Sequence, residues 1–378
     1  MNGMETENRK KLIAFAGGGT GGHVFPIIAV YQELVSLNEQ FTFCYLGSKG
    51  KIEQKISEEN KIPFYELPFI GGMPRSFKAC FWFFKFFYAL LHACVRLSHL
   101  KPKLVFSTGG YSAAPVICAA KLLNVPYVLH NLDAHLGLAN KVFVSDCAAL
   151  TLGMTLFSGA NVLPKNGPCV ITGNPIRQAF YRDEENKTNI YAQWKLDPKR
   201  KTLIVVGGSQ GAEVININLL RITKELIEKN WQIIHQLGPL QYDKFKELFP
   251  DTPYYRAERF IDRLEDIYSI ADLAVSRSGA MSVGELTAKK VPAILIPLPT
   301  AAQNHQYLNA KCVEEKGGAV VLEQKDLSDE SLLEMIEYVY ERQKLFRLNL
   351  GDFPFQNPAK NIGKIILRVM NKDSEVES

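Results

Sequence analysis

The chain has 378 residues, 47% of them apolar and 22% charged, a composition that excludes a disordered segment and a length that allows two domains with cores. Lysine and arginine total 44 against 39 acids, and this net charge of +5 is too small to imply nucleic acid as a partner, although it suits an anionic surface or ligand. The seven cysteines form no C-x-x-C pair and mostly lie in apolar runs, the pattern of reduced thiols in a cytosolic protein, so neither a disulfide nor a structural zinc is expected.

In chain order, residues 1–11 are polar and carry acids, without the apolar stretch of a secretory signal, and none is expected. The apolar run Leu12–Phe15 then enters A-G-G-G-T-G-G-H-V-F-P at residues 16–26, a strand passing through a glycine loop into a helix. Such a loop brings backbone N–H groups close to a phosphate or sugar, and the helix N-terminus adds partial positive charge. Gly17, Gly19 and Gly22 also satisfy G-x-G-x-x-G, yet a nicotinamide-binding unit needs an acid at the end of its second strand. Here that strand, Phe41–Leu46, runs into Gly47, Ser48 and Lys49, and the next acid is Glu53. NAD is disfavoured, and an NADP oxidoreductase needing Ser48 and Lys49 stays as a competing reading.

Residues 77–99 form a helical window around Phe81, Trp82, Phe83, Phe84, Lys85, Phe86, Phe87 and Tyr88. Lys78, Lys85, His92 and His99 recur every seven residues with Arg96 beside them, one basic stripe on an otherwise apolar helix. Two readings stand: a well-buried core helix, or a helix lying on anionic lipid headgroups through Phe81, Trp82, Phe84, Lys85 and Phe87. A spanning helix is disfavoured because Lys85 and His92 would sit in hydrocarbon.

Further strands are expected at Leu104–Ser107, Tyr127–His130, Thr202–Val206, Ile233–Gln236, Leu273–Ser276 and Ala293–Pro297. Glycine-rich turns follow three of them: Thr108, Gly109, Gly110, Tyr111 and Ser112; Gly207–Ala212; and Ser278, Gly279 and Ala280 before an apolar helix. Continuous apolar strands alternating with helices predict an α/β chain of two doubly wound parallel-sheet domains facing a cleft. The expected boundaries are residues 1–176, 177–351 and a last helix and tail at 352–378, and local pattern leaves open whether that helix packs back on the first domain.

Seven motifs occur in one order: A-G-G-G-T-G-G-H at Ala16–His23, T-G-G-Y-S-A-A-P at Thr108–Pro115, G-N-P-I-R at Gly173–Arg177, G-G-S-Q-G-A at Gly207–Ala212, F-I-D at Phe260–Asp262, S-R-S-G-A-M-S-V-G-E at Ser276–Glu285 and H-Q-Y-L-N-A at His305–Ala310. Together, from about Leu12 to Leu322, they resemble the MurG family of peptidoglycan glycosyltransferases. The resemblance implies the two-lobed GT-B fold and transfer of N-acetylglucosamine from UDP-N-acetylglucosamine to lipid I, the undecaprenyl-pyrophosphoryl acceptor, giving lipid II. It also implies an inverting reaction at the cytoplasmic face of the inner membrane. Donor contacts are implied at Thr20, Gly21, Gly22, Asp133, Arg177, Ser209, Ile261, Ala280, Met281, Ser282, Val283, Gly284, Glu285 and Gln306. Glu285 would take both ribose hydroxyls and Arg177 the diphosphate. Acceptor contacts are implied at Gly18, Gly19, Thr108, Gly109, Gly110, Tyr111, Ser112 and His130.

The sequence contains no D-x-D triplet, so amide dipoles and helix N-termini are expected to hold the leaving diphosphate without metal or cofactor. His23 closes the first glycine loop, and an imidazole there suits the base that takes the acceptor proton; the alternative is that it only orients the loop or binds phosphate. Ser209 can instead cap the following helix, and His305 reads as structural. One departure stands out. The family's H-E-Q-N reads His130, Asn131, Leu132 and Asp133 here, and a carboxylate at Asp133 repels a diphosphate unless protonated or paired, as with Lys141. A transferase acting on another lipid acceptor, and a binder without catalysis, share these donor motifs. Competition by lipid I analogues and binding without transfer separate them.

Overall fold

The computed structural model describes residues 11–37, 40–68, 71, 78–156, 163–182, 187–351, 353 and 357–376. The polar start at 1–10, Phe77 and Asp352 lie outside the described residues, and so do the side chains of Lys78 and Cys80. Two compact units emerge: Met1–Leu132, Leu136–Ile176 and Asn357–Ser378 form one, and Asp133–His135 with Arg177–Gln356 form the other.

In the first unit β1 (Lys11–Gly17), β2 (Phe41–Ser48), β3 (Phe64–Leu67), β4 (Leu104–Gly109), β5 (Tyr127–Asn131), β6 (Ala149–Leu152) and β7 (Cys169–Ile171) form one parallel sheet in the order β3-β2-β1-β4-β5-β6-β7. Helices α1 (Gly21–Leu37), α2 (Ile52–Glu59), α3 (Lys78–Leu100), α4 (Ala114–Leu122) and α5 (Leu138–Phe143) follow β1 to β5 in turn. Side chains alternate across β1: Ile13 and Phe15 meet Val24, Ile27, Val30 and Leu34 of α1, whereas Ala14 and Ala16 meet the layer holding Ala93, Leu97, Val116 and Ile117. Phe15 and Phe106 are fully buried with ring centroids 6.3 Å apart edge-on, and each such burial stabilises by about 1.5–3 kcal/mol.

The second unit repeats this plan. Its helices are α6 (Lys187–Gln193), α7 (Glu213–Glu228), α8 (Tyr242–Phe245), α9 (Leu264–Ile270), α10 (Ala280–Ala288), α11 (His305–Glu314), α12 (Asp329–Glu341) and α13 (Gln343–Gly351). Strands β8 (Lys201–Val206), β9 (Trp231–Gln236), β10 (Tyr255–Glu258), β11 (Leu273–Ser276), β12 (Ala293–Leu295) and β13 (Ala319–Val321) are parallel in the order β10-β9-β8-β11-β12-β13. Helix α14 (Pro358–Val376) belongs to the first unit, burying Ala359, Ile362, Ile366 and Met370 with the α1 residues Ile27 and Leu34.

Strand order reverses between β1 and β4 in one unit and between β8 and β11 in the other. At such a switch point the loops leaving the two strands turn to opposite faces of the sheet and open a crevice, which is where doubly wound folds bind ligands. The glycine loops 17–20 and 109–112 flank the first switch point, and 207–212 and 277–279 flank the second.

Candidate functional site

At the first switch point Gly17 of β1 pairs with Gly109 of β4 just past a register shift. Gly110 has φ +90°, and a Cβ there would stand 2.6 Å from the Gly18 carbonyl oxygen, so only glycine allows the two loops to touch. His23, in the first turn of α1, is tied to the second loop by both chains of atoms: its Nδ1 lies 3.0 Å from the Thr108 carbonyl, and Thr108 Oγ1 donates to the His23 carbonyl at 2.7 Å. A carbonyl only accepts, so Nδ1 carries a proton, and in the neutral form of the ring the lone pair then falls on Nε2, the tautomer a base requires. Thr20 is exposed and Gly21 and Gly22 half-buried at the start of α1, where helix amides point outward. Tyr111 is exposed, and the buried Ser112 hydroxyl has no hydrogen-bond partner.

His130, expected at the acceptor, is fully buried, with Nδ1 2.9 Å from Thr151 Oγ1 and Nε2 3.2 Å from Asn174 Oδ1. Burial lowers its pKa to about 4, so the ring is neutral at physiological pH. Asn174 in turn donates to the Leu132 carbonyl at 3.0 Å, and His130 is a structural link between strand ends. Thr108 is likewise buried, and both its hydroxyl and its carbonyl are engaged with His23.

At the second switch point α10 shows one face inward and one outward. Ala280, Val283 and Leu286 are buried, whereas Met281, Ser282, Gly284 and Glu285 keep partial exposure. The Val283 side chain lines a small apolar cavity with Leu286, Leu295 and Val313 behind the helix. Glu285 sits in a charged cluster on the outward face. Burial raises its carboxyl to about 7, Glu265 adds to the rise, and Arg177 opposes it. Arg177 donates to Glu265 Oε2 at 2.8 Å and to the Asp262 carbonyl at 2.9 Å, with its guanidinium over the Phe180 ring. The fork expected on a diphosphate is thus already held by Glu265. Tyr268 lies against the same cluster, buried, with a hydroxyl that has no hydrogen-bond partner.

Ser209 is exposed in the loop after β8. It does not cap α7, because the helix starts at Glu213 with Ala212 as N-cap and no side-chain bond, so the capping alternative is removed. Ile261 is buried and its N–H donates to Gln236 Oε1 at 2.9 Å, while Gln236 Nε2 donates to the Gly208 carbonyl at 3.3 Å. Gln236 therefore joins the loops that follow β8 and β10. It escaped notice in the sequence, although its place at the carboxyl end of β9 is the available signal.

A second network fixes the turn before α10. Arg277 donates to the Ile296 and Pro297 carbonyls at 3.1 and 3.0 Å and to Gln324 Oε1 at 2.8 Å; Ser278 Oγ donates to the Gln306 carbonyl at 2.8 Å. Gln306 Oε1 accepts from the Leu298 N–H at 3.0 Å, which turns its amide NH2 away from that bond. Asn309 donates to Asp133 Oδ1 at 2.8 Å and to the Ser278 carbonyl at 3.1 Å, and its own oxygen accepts from the Ala134 N–H at 2.8 Å. The carboxylate at Asp133 thus accepts a hydrogen bond from a neutral amide donor.

Helix α3 buries Ala89, Leu90, Ala93 and Leu97 on the sheet and turns Phe81, Phe84, Phe87, Tyr88, Leu91 and Val95 outward. Phe84 is 69% exposed and Phe81 65%, values that exclude a core role for this face. Lys85 and Arg96 are exposed beside it, with the Lys85 ammonium 5.1 Å from the Phe81 ring centre. Trp82 departs from the expected set: it is half-buried, its Nε1 donates to the Gly71 carbonyl at 2.8 Å and its ring stacks on Phe86. Among the described residues no helix is long and apolar enough to cross a membrane.

Comparison with known proteins matches both units. Residues 13–151 fit the glycosyltransferase family 28 N-terminal domain and residues 202–361 the glycosyltransferase family 28 C-terminal domain. A Carboxydothermus hydrogenoformans protein named UDP-N-acetylglucosamine--N-acetylmuramyl-(pentapeptide) pyrophosphoryl-undecaprenol N-acetylglucosamine transferase is 32% identical over 362 residues, 94% of either chain. A Haemophilus influenzae protein of the same name is 32% identical over 369 residues, 96% of this chain and 99% of its own. The crystal structure of Acinetobacter baumannii MurG superposes with a TM-score of 0.75 at 27% identity, covering 95% of this chain and 99% of that one. With both family domains present in order and this coverage, the chain belongs to glycosyltransferase family 28 and has the GT-B fold.

Proposed function

We propose that this chain transfers N-acetylglucosamine from UDP-N-acetylglucosamine to the muramyl-pentapeptide pyrophosphoryl-undecaprenol acceptor, the reaction by which its relatives are named. The observation that carries the reading is identity of 32% across nearly the full length of both chains, with every glycine loop of the site at a switch point of its sheet. In this reading residues 177–351 hold the donor. Glu285, as carboxylate, accepts both ribose hydroxyls, the 207–212 loop and the start of α10 face the diphosphate, and Gln306 offers its NH2 to the sugar. Residues 1–176, completed by the last helix, hold the acceptor. The 109–112 loop with Gly18 and Gly19 takes its diphosphate, and His23 Nε2 removes the proton from the attacking hydroxyl.

Attack on the anomeric carbon with loss of UDP inverts that centre in one displacement. Amide dipoles in place of a cation stabilise the leaving diphosphate, a choice supported by the lack of a D-x-D triplet in the sequence. The outward face of α3 docks on the anionic inner-membrane surface from the cytoplasmic side: aromatic rings enter the headgroup region while Lys85 and Arg96 meet lipid phosphate. Transfer of radiolabelled N-acetylglucosamine to a short-chain lipid I analogue, with and without EDTA, tests the reading. Lipid II formed equally under both conditions is the expected result, and UDP-N-acetylglucosamine binding without transfer overturns it.

A further inference from the structure

We propose that Glu53 is a positioning residue of the acceptor half-site: its buried carboxylate sets the shape of the first glycine loop and, through it, the aim of His23. The inference rests on the transfer reading above for its meaning and on the geometry of the first unit for its substance. Glu53 occupies the first turn of α2 and is fully buried. Its two oxygens diverge: Oε2 accepts from the Gly19 N–H at 3.4 Å and Oε1 from the Ser48 N–H at 3.3 Å. Among the described residues no cation pairs with it; the start of α2 supplies the favourable dipole that a carboxylate there needs. A charge buried on two amides is costly to keep, and an alkyl side chain of the same size would fill the space without that cost.

The packing explains what the charge holds. A Cβ on Gly18 would lie 2.5 Å from Glu53 Oε1 and 2.6 Å from Ser112 Oγ, so the first loop is clamped between the acid on one element and the second glycine loop on another. Gly19 stands at φ +89°, and its N–H is turned to Glu53. Two residues further on α1 begins, and His23 is tied to Thr108. Freeing the Gly19 amide lets residues 18–20 relax, and the start of α1 moves with them. A misplacement of about 1 Å at a reacting group costs a rate factor on the order of 100.

The test compares Glu53→Gln and Glu53→Ala with the unchanged protein. Glutamine keeps size but offers one acceptor oxygen and places an NH2 against an N–H, so one of the two contacts is lost. The expected result is a graded fall in kcat, about tenfold for Glu53→Gln and about a hundredfold for Glu53→Ala, with UDP affinity by calorimetry within about twofold of the parent. Hydrogen exchange is to speed up in residues 17–23 and 108–112 and not in β8 to β13. If Glu53→Ala does not fold, Glu53→Gln decides alone. A folded variant with parental kcat, or parental exchange in both loops, overturns the proposal. Parental protein that makes no lipid II overturns the transfer reading instead, and the exchange data still judge Glu53.

Discussion

His23 and Thr108, 85 positions apart, are joined by two hydrogen bonds that run in opposite directions, ring to carbonyl at 3.0 Å and hydroxyl to carbonyl at 2.7 Å. The pair fixes both the tautomer of the ring and the spacing of the two glycine loops. Replacing His23 by Ala is expected to lower kcat by a factor of about 100 to 10,000 with acceptor KM little changed, as for loss of a general base. Thr108→Val, which removes one of the two bonds, is expected to give a smaller fall. Steady-state kinetics with the lipid I analogue decide: a defect in His23→Ala confined to acceptor KM ends the base assignment.

Glu285 links donor binding to pH. Its carboxyl, raised to about 7, is mostly protonated at pH 6 and mostly ionised at pH 8. If the carboxylate holds the ribose, UDP-N-acetylglucosamine affinity should rise about tenfold across that interval, and Glu285→Gln should abolish both the binding and its pH dependence. Calorimetry at the two pH values measures this, and a flat profile in the parent counts against the role.

The same shift sets a stability trade. An acid whose pKa is raised on folding holds its proton more tightly in the native state, so ionisation destabilises the fold as pH rises from the ordinary carboxyl value to about 7, and the cost is complete above that. Glu285→Gln should therefore raise Tm at pH 8 and change it little at pH 5. A lower Tm at pH 8 would show that the ionised carboxylate is well paired in the free protein.

Arg177 opposes the rise at Glu285, and Glu265 grips Arg177. Arg177→Ala should shift the midpoint of the donor-binding pH profile upward. An unchanged midpoint would show that Arg177 and Glu285 do not communicate.

The α3 face makes a prediction about location. Changing Phe81, Phe84 and Phe87 together to Ser should abolish flotation with anionic vesicles while leaving the circular dichroism and melting curve intact, because these rings are exposed and support no core. Undiminished flotation removes the docking surface.

Much of the architecture was legible from local pattern, because apolar runs ending in glycine are the signature of strands that meet a ligand-facing loop. Five strands of three or four residues, β3, β6, β7, β10 and β13, are not legible in this way, whereas β11 and β12, no longer than these, are, so a run this short is a weak signal either way. The site divided along a similar line. Glycine loops, the outward side of α10 and the greasy helix could be placed because each is written in consecutive residues. The orientations of His130, Val283 and Trp82 are not legible there, because adjacency to a motif says nothing about which way a side chain points.

What the sequence determined by itself is the class of protein and the identity of its loops, since backbone conformation at glycine and the alternation of strand and helix are local properties. Only the folded chain decided which polar groups meet. Arg177 finds Glu265 88 positions away, Gln236 joins Gly208 to Ile261, and Glu53 closes on Gly19 across 34 residues. Such contacts depend on strand order, and strand order is set by how distant apolar faces are buried together, which no window of neighbouring residues contains.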